Sequence, residues 1–551
     1  MSNEAVYVLM PEIILALMAT LIYLGGAFLP DRSGWSWLAA AAIVLAGVAL
    51  YDQNLTPTIA ATRDAGGFIG PLVIDDFSAL LRWAVLAVGL LFIALASRTS
   101  QRGESSEYMA SLVLIITGLM LLSLANDLVT FFVALELVSI PTYVILFLGR
   151  GENLLESGTK YFFLSVLSSA ILLYGFSFLY GAAGSARLPE IHQVLSEAGP
   201  QGDAIRMLSR LALVLIVAGL GFRLTIVPFH FYAPDVYQGT THPNAGLLAV
   251  VPKIAGLIAI VRIVSIGMPG LEQLGWPLML ALAMVTMTLG NLLALWQNNV
   301  RRLLAYSSVA HGGYMLIGLA VGFALTGQNG QNANLDGVGA AFFYLLVYAA
   351  ATAGTFAALA YLSSEKQPMN MVDDLAGLNQ NFPKTAAAIA LFMLSLTGLP
   401  PLAGFWGKLM LFTDALNVGY PAAATSEFEG SLWRWFVALT IVGALNAAIS
   451  AGYYLRIVAV IYFRPATARP EARGGAGAAW AMATCALVVL GVGCYPGPAI
   501  ERANRASRSA QATYQGPVGQ AAVAPDALRS DALPPTSPPP SMSGQPKLAD
   551  R

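Results

Sequence analysis

Ionisable side chains lie inside several long apolar stretches of this sequence, and their chemistry is the first clue to what the chain does. Glu136 occurs in LVTFFVALELVSIPTYVILFLG, Lys253 follows HPNAGLLAVVP, and Lys408 occurs in GFWGKLMLF. A charged group at bilayer depth is costly, so such residues are candidates for moving protons or ions. Burial favours the neutral form of a carboxylic acid and of a lysine, and either can then take up and release a proton.

Each of these residues also has a structural explanation. Glu136 could form a buried ion pair that fixes the packing of helices. Lys408 could anchor a broken helix by binding the free carbonyl groups at the break. We favour the functional interpretation for Glu136, Lys253 and Lys408, because an ionisable group within the membrane is energetically costly and usually has a function.

Four further residues are weaker candidates for a proton path. Lys160 follows Glu156 by four residues, which is also typical of an interfacial lysine that pairs with its neighbour on a helix. Arg223 stays charged at any accessible pH, so it can attract Glu136 but cannot exchange a proton. His230 and His311 are secondary relay candidates, because a neutral imidazole both donates and accepts, although lone histidines also serve in packing.

The composition places the chain in a membrane. It has 551 residues, of which 57% are hydrophobic and 11% are charged, and the mean hydropathy is +0.67. Soluble domains carry roughly 25% charged residues. The net charge of −1 gives no nucleic-acid signature. Two cysteines, Cys485 and Cys494, are too few for a disulfide framework or a metal cluster, and no nucleotide, flavin or iron–sulfur motif is present.

Two apolar runs are too long for one straight crossing and contain internal prolines. Residues 207–237 contain Pro228, and residues 383–415 contain Pro400 and Pro401. Proline removes a backbone hydrogen bond and breaks or kinks a helix. We count these runs as the seventh and twelfth helices of the chain. Interrupted helices at matching positions in two halves are typical of transporters built from repeats.

The expected fold is an all-α polytopic membrane protein with about fourteen transmembrane helices. Orientation follows from the distribution of Lys and Arg between the loops. Eleven basic residues fall in one set of loops and six in the other, so both termini are expected on the outer side. The six outer residues are Arg63, Arg187, Arg206, Arg210, Arg262 and Arg434. Residues 501–551 are rich in Pro, Ala and Ser, which predicts a disordered tail or one that lies extended along a neighbour.

Four segments carry a specific resemblance to a known family. They are GLGFRLTIVPFHFYAPDVYQG, VPKIAG, RRLLAYSSVAHGGYMLIG and LTGLPPLAGFWGK. Together they resemble subunit N of bacterial NADH-quinone oxidoreductase, respiratory complex I, an antiporter-like membrane subunit. The resemblance covers residues from about 5 to 495 and implies two inverted five-helix repeats. The implied divisions are helices 1–3 in 1–107, helices 4–8 in 108–267, helices 9–13 in 273–463, and a last helix in 476–495.

The resemblance also implies a function for this chain. It implies proton translocation in the bacterial inner membrane, coupled to quinone reduction that takes place elsewhere in the complex. The family's membrane glutamate and lysines match Glu136, Lys160, Lys253 and Lys408. Arg223 stands where the family usually has a lysine. No cofactor is expected on this chain, whereas NADH, FMN, iron–sulfur clusters and quinone are expected in partner subunits, and the partners are the other membrane subunits.

Three alternative functions stay open from the sequence. The chain could be an autonomous cation/proton antiporter, which sodium–proton exchange by the isolated chain would support. It could belong to a related membrane hydrogenase complex, which the neighbouring genes would reveal. It could also be a non-conducting assembly subunit whose charges serve packing, which Lys253 variants that assemble but do not pump would exclude.

Overall fold

The computed structural model describes ten segments of the chain, and helices dominate all of them. The segments are 3–29, 34–64, 67–97, 104–149, 151–197, 203–326, 336–363, 369–419, 427–466 and 472–515. Thirteen helices in these segments are long and apolar enough to cross a membrane. This confirms the polytopic all-α class. The total of fourteen crossings, the division into inverted repeats and the placement of the termini stay predictions.

The N-terminal part forms three long helices, two short ones and one β-hairpin. Asp75 begins the last long helix, because its carboxylate accepts from the Ser78 amide at 2.8 Å and so satisfies a free N–H of the first turn. The strands β1 and β2 are antiparallel, with Phe68 opposite Val73. The elements are α1 (Asn3–Val8), α2 (Met10–Phe28), α3 (Trp35–Leu55), α4 (Pro57–Asp64), β1 (Gly67–Ile69), β2 (Leu72–Ile74) and α5 (Asp76–Ala96).

The next seven helices include the first interrupted crossing. The elements are α6 (Ser105–Leu124), α7 (Leu128–Phe147), α8 (Glu152–Ala183), α9 (Leu188–Glu197), α10 (Asp203–Leu224), α11 (Tyr232–Gly239) and α12 (His242–Ala259). The predicted break around Pro228 is confirmed, since α10 ends at Leu224 and α11 begins at Tyr232. Beyond Ala259, α12 continues as a π-helical turn over Ile260–Ile266.

The following helices include the second interrupted crossing. The elements are α13 (Glu272–Leu295), α14 (Val300–Thr326), α15 (Gly337–Leu362), a 3₁₀ turn at Val372–Leu375, α16 (Leu378–Asn381), α17 (Pro383–Thr397), α18 (Ala403–Asn417) and α19 (Glu427–Phe463). The break predicted at Pro400 and Pro401 is confirmed, because the chain leaves the helix at Gly398 and re-enters it at Ala403. Two half-helices therefore replace one straight crossing.

Helix α12 lies at the centre of the molecule. Every residue of His242–Ala259 is buried, and α14 and α15 beside it are nearly as enclosed. By contrast, α2 and α3 expose Leu17, Leu21 and Trp37, as expected for helices that face lipid. The surrounding helices thus shield the central three, which carry Lys253, His311 and several buried tyrosines.

The predicted disorder from residue 501 is wrong for the part that the structure describes. After α20 (Gly475–Cys494), helix α21 covers Gly497–Gln515. Ala503, Ala506, Ala510 and Tyr514 are buried at helical spacing. The prediction was wrong because the composition was taken over residues 501–551 as a whole, and the proline-rich part concealed the helical pattern of its first residues. Residues 516–551 lie outside the described residues.

Helix α21 is bonded to several elements that are distant in the sequence. Ser507 Oγ donates to Asp336 Oδ1 at 2.6 Å, and Asp336 caps the start of α15. The Tyr514 hydroxyl hydrogen-bonds Asn126 in the turn after α6, and its ring contacts that of Phe68. The helix therefore joins α15, the α6–α7 turn and the hairpin on one face.

Arg262 does not lie in a loop, contrary to the expectation from the charge distribution. It is part of the π-helical turn, where both of its Nη atoms donate to the Asp75 carboxylate at 2.6 and 2.8 Å. Neither side chain has any exposed surface. This ion pair ties the start of α5 to the end of α12.

Two truncations test the role of α21. Ending the chain after Gln515 should leave the thermal stability and membrane content unchanged, because all described contacts remain. Ending it after Pro496 should lower the melting temperature by several degrees and the membrane content several-fold, since the Asp336 and Asn126 bonds and the buried alanines are lost. The measurement is thermal unfolding of the detergent-extracted protein. Equal stability of the two truncations would contradict this role.

Candidate functional site: a buried line of charged and aromatic groups

Glu136 lies on α7, and side chains from two neighbouring helices lie beside its carboxylate. Ser169 on α8 donates its hydroxyl to Glu136 Oε1 at 2.5 Å, and Arg223 on α10 places Nη2 3.6 Å from the same oxygen. The glutamate side chain is 22% exposed and that of Arg223 only 5%. The structure therefore brings together the carboxylate and the cation that the sequence suggested as partners.

The distance between Arg223 and Glu136 is too long for a hydrogen bond, although it is short enough for an ion pair. Arg223 Nη1 instead donates to Ser139 Oγ at 2.9 Å, and Ser139 lies almost one turn after Glu136 on α7. The guanidinium is thus held beside the carboxylate without binding it directly. A small movement of α10 relative to α7 would open or close the pair.

Lys253 is fully buried and binds the end of the first interrupted helix. Its Nζ donates to the carbonyl oxygen of Leu224 at 3.1 Å and also contacts the Thr225 hydroxyl. Leu224 is the last residue of α10, where the carbonyls lack intrahelical partners. The C-terminal end of a helix carries a partial negative charge, which favours a cation there.

Lys408 makes the equivalent contact in the second interrupted helix. Its Nζ donates to the carbonyls of Leu396 and Thr397 at 3.0 and 2.8 Å, and these residues end α17. Gly398 follows with φ of +93°, and a Cβ atom there would lie 3.0 Å from Lys408 Cδ. The anchoring explanation for Lys408 therefore describes its contacts in this structure, and the same contact type is found at Lys253.

His311 on α14 is flanked by tyrosines on both ring nitrogens. Nδ1 lies 2.6 Å from the Tyr344 hydroxyl and Nε2 lies 2.9 Å from that of Tyr454. The imidazole is buried and close enough to interact electrostatically with both Lys253 and Lys408.

Two more tyrosines connect His311 to the lysines. Lys253 Nζ is 6.0 Å from the centre of the Tyr348 ring, and Lys408 Nζ is 4.9 Å from that of Tyr314. Both rings contact the His311 ring, with centroid distances of 4.9 and 6.0 Å. His311 thus lies in an aromatic layer between the two amines.

Lys160 lies apart from this line, in a polar cleft near the start of α8. Its amine pairs with Glu156 at 2.6 Å and with Asp235 at 3.3 Å, and Asp235 also pairs with Arg302 at 2.7 Å. The cleft has a volume of about 360 Å³, and the Lys160 side chain is 41% exposed. These are the contacts expected of an interfacial lysine.

His230 also lies outside the buried line. It occupies the turn between α10 and α11, two residues after Pro228. Its Nδ1 is buried and has no hydrogen-bond partner in the described part of the chain.

Sequence reasoning missed several charged groups whose partners are distant in the chain. Glu12 binds Arg82 through two hydrogen bonds of 2.8 and 2.9 Å inside the N-terminal helices. Asp235 pairs with Lys160 and with Arg302 in the polar cleft. Their occurrence in apolar segments was visible, but the sequence does not show which opposite charge each one meets. Among the described residues, no group of three or more His, Cys, Asp and Glu side chains is arranged to hold a metal ion.

Comparisons with known proteins give consistent matches. Residues 125–432 match the family described as NADH:quinone oxidoreductase/Mrp antiporter, TM. NADH-quinone oxidoreductase subunit N of Trichlorobacter lovleyi is 34% identical over 463 residues, which cover 83% of this chain and 88% of that protein.

Solved structures show the same similarity. A chain of respiratory complex I from Thermus thermophilus is 31% identical with a TM-score of 0.70, covering 90% of this chain and 99% of that one. A chain of the Mrp complex from a Dietzia species is 21% identical with a TM-score of 0.75, covering 93% and 99%, and shows a likeness of fold alone.

Alanine at Gly398 tests the contact between Lys408 and the break. A left-handed alanine alone costs roughly 1–2 kcal/mol, and the new Cβ would also displace Lys408. Gly184 is the matched control, because it too ends a helix with positive φ, of +71°, and nothing lies within 4 Å of a Cβ built there. Thermal unfolding should show a larger loss for Gly398→Ala than for Gly184→Ala. In a Lys408→Ala background the difference should shrink, and an unchanged difference would contradict the contact.

Proposed function

The chain belongs to the NADH-quinone oxidoreductase subunit N family, and we propose that it is a proton-translocating membrane subunit of a respiratory complex I. It is a multi-pass protein of the bacterial inner membrane, and its partners are the other membrane subunits of that complex. Both termini lie on the outer side in this proposal. Quinone reduction takes place in partner subunits, which hold NADH, FMN, iron–sulfur clusters and quinone, and no redox group belongs to this chain.

One observation carries the proposal, namely that the interrupted helices present their carbonyl ends to two buried lysines. A lysine bound only by uncharged groups, carbonyls at Lys408 and a carbonyl and a hydroxyl at Lys253, is held without a neutralising carboxylate, so it can lose its proton without leaving an unpaired negative charge. Glu136, Arg223, Lys253 and Lys408 are the proposed proton-translocation residues. His311 is the secondary relay between the lysines, whereas His230 and Lys160 lie outside the line, with Lys160 at its opening.

The Glu136–Arg223 pair is the proposed control element. Helix α12 packs against Arg223, since a Cβ atom at Gly256 would lie 3.2 Å from Arg223 Cβ. When the pair is closed, Glu136 compensates the arginine charge and Lys253 keeps its proton. When it opens, the uncompensated guanidinium repels the Lys253 ammonium, which then releases its proton toward His311.

The size of this effect is sufficient for a switch. Two unit charges 3.6 Å apart interact by about 5 kcal/mol at an effective dielectric constant of about 20. An energy of this size corresponds to a change of several thousandfold in the protonation equilibrium of a group that feels it in full. Arg223 suits this task, because the role requires a permanent charge and no proton exchange.

A second candidate function is an autonomous cation/proton antiporter. The family that residues 125–432 match includes the Mrp antiporter in its description, which favours it. Sodium–proton exchange by the isolated chain in proteoliposomes, independent of quinone reduction, would support it against the complex I assignment.

Substitution of Glu136 tests the proposed function. Glu136→Gln removes the charge that compensates Arg223 and should lower coupled proton uptake at least tenfold. Glu136→Asp keeps the charge at greater distance and should retain part of the activity. Proton uptake and quinone-reductase rate would be measured in inverted membrane vesicles at equal complex content. Near-normal rates for both variants would leave only a packing role for this residue.

A further inference from the structure

We propose that three buried hydroxyl groups, those of Tyr237, Ser308 and Tyr348, conduct protons between the polar cleft at Lys160 and the amine of Lys253. This inference rests on the proposed function and extends it, because it assigns the route by which Lys253 communicates with one membrane face.

The route begins at helix α11, which borders the cleft. Asp235 and Gln238 of this helix line the cleft, together with Arg302 from the start of α14. Tyr237 lies two residues after Asp235 and therefore points to the other side of the helix. It is completely buried, so α11 has the polar cleft on one side and the protein interior on the other.

The Tyr237 hydroxyl is a buried polar group without a hydrogen-bond partner in the described segments. It lies next to Ser308 on α14, without the geometry of a hydrogen bond between the two hydroxyls. A buried hydroxyl without a hydrogen-bond partner is energetically unfavourable, so we expect it to bind a partner for part of the time. Its position beside a second hydroxyl suggests that the missing partner is a transient one.

Ser308 is already bonded to the next group in the route. Tyr348 on α15 donates its hydroxyl to Ser308 Oγ at 2.8 Å, and the Ala249 carbonyl lies 3.3 Å from the same hydroxyl. A hydroxyl has one hydrogen and can donate to only one of these acceptors at a time. Rotation between them reorients the bond. Ala249 lies one turn before Lys253 on α12, so the second orientation directs the hydroxyl hydrogen to the helix that carries the lysine.

The last step connects Tyr348 to Lys253. The lysine amine lies 6.0 Å from the centre of the Tyr348 ring. Its four-carbon stem is flexible, which lets the amine leave the Leu224 carbonyl and approach the hydroxyl at the edge of the ring. Thr352, one turn further along α15, adds a second buried hydroxyl that has no partner in the described part of the chain.

The proton transfer balances without any other reactant. A proton from the cleft binds the Tyr237 oxygen as its own proton moves to Ser308, whose proton moves to Tyr348. Tyr348 passes its proton to the neutral Lys253 amine, which becomes an ammonium ion. Each hydroxyl ends neutral with one hydrogen and rotates back to its first orientation. The net change is one proton taken from the cleft and one gained by Lys253.

Phenylalanine substitutions remove the hydroxyls and keep the rings. The variants Tyr348→Phe and Tyr237→Phe would be compared in the assembled complex with Tyr232→Phe. Tyr232 is the matched control, because it is a buried tyrosine on the same half-helix whose hydroxyl bonds the carbonyl of Phe222 outside the route. Proton uptake by inverted vesicles at equal complex content would be measured in H₂O and in D₂O, with Lys253→Ala as the reference for complete loss of the relay.

The expected result is that Tyr348→Phe and Tyr237→Phe each lose at least half of the uptake that Lys253→Ala loses, whereas Tyr232→Phe stays near normal. The double variant should be no worse than Tyr348→Phe alone, because the two groups act in series. The D₂O effect on uptake should fall in both variants. Normal uptake in Tyr348→Phe with strong loss in Lys253→Ala would overturn the route alone. Normal uptake in Lys253→Ala would overturn the proposed function itself.

Discussion

The binding of two lysine amines to the carbonyl ends of interrupted helices is the interaction on which the rest of this structure depends. Lipid cannot satisfy the carbonyls released at a helix break, so a break at membrane depth requires polar protein groups around it. Lys253 supplies them for α10, and Lys408 supplies them for α17. Each amine thus gains hydrogen-bond acceptors inside the protein, and carbonyls at the end of each broken helix gain a donor.

This pairing of amines with carbonyls explains the arrangement of the surrounding helices. Helix α12 carries Lys253 and is buried over its whole length, while α14 and α15 provide His311 and the tyrosines on either side of it. The N-terminal helices are attached to α12 as well, because the fully buried Asp75–Arg262 pair joins α5 to the π-helical turn that continues α12. Helix α21 closes the same face through Ser507 and Asp336. These contacts tie α12 to its neighbours, whereas Glu136 and Arg223 are 3.6 Å apart and share no hydrogen bond.

The sequence predicted the all-α membrane class and the two breaks, and it indicated the candidate charged residues, because each depends on local features. Long apolar runs require membrane crossings, and Pro228, Pro400 and Pro401 mark the interruptions. Contacts between distant residues could not be predicted. The sequence indicated an anchoring role as one option for Lys408, but not that Lys253 binds a carbonyl 29 positions earlier. The carbonyl groups freed at a break point in directions that depend on the folded structure, so the sequence does not show which side chain they meet.

The errors have the same physical origin. Arg262 was assigned to a loop because a charge near the end of an apolar run usually lies at the interface, yet a buried partner 187 positions away holds it inside. Helix α21 was missed because its small residues are not strongly apolar on their own, and their burial depends on the surface formed by α5 and α15. Composition indicates the structure that an isolated segment prefers, whereas the structure of these two segments depends on contacts with neighbouring helices.

The central claim is that Lys253 moves protons because its buried amine has no ion-pair partner among the described carboxylates and can therefore become neutral. Lys253→Arg tests this most directly, since arginine keeps the positive charge and several donors for the Leu224 carbonyl but does not release a proton. The measurement is proton uptake by inverted vesicles at fixed complex content, with Lys253→Ala alongside. The account predicts that Lys253→Arg is inhibited nearly as strongly as Lys253→Ala. Full proton uptake by Lys253→Arg would contradict it and would show that this position needs only a charge.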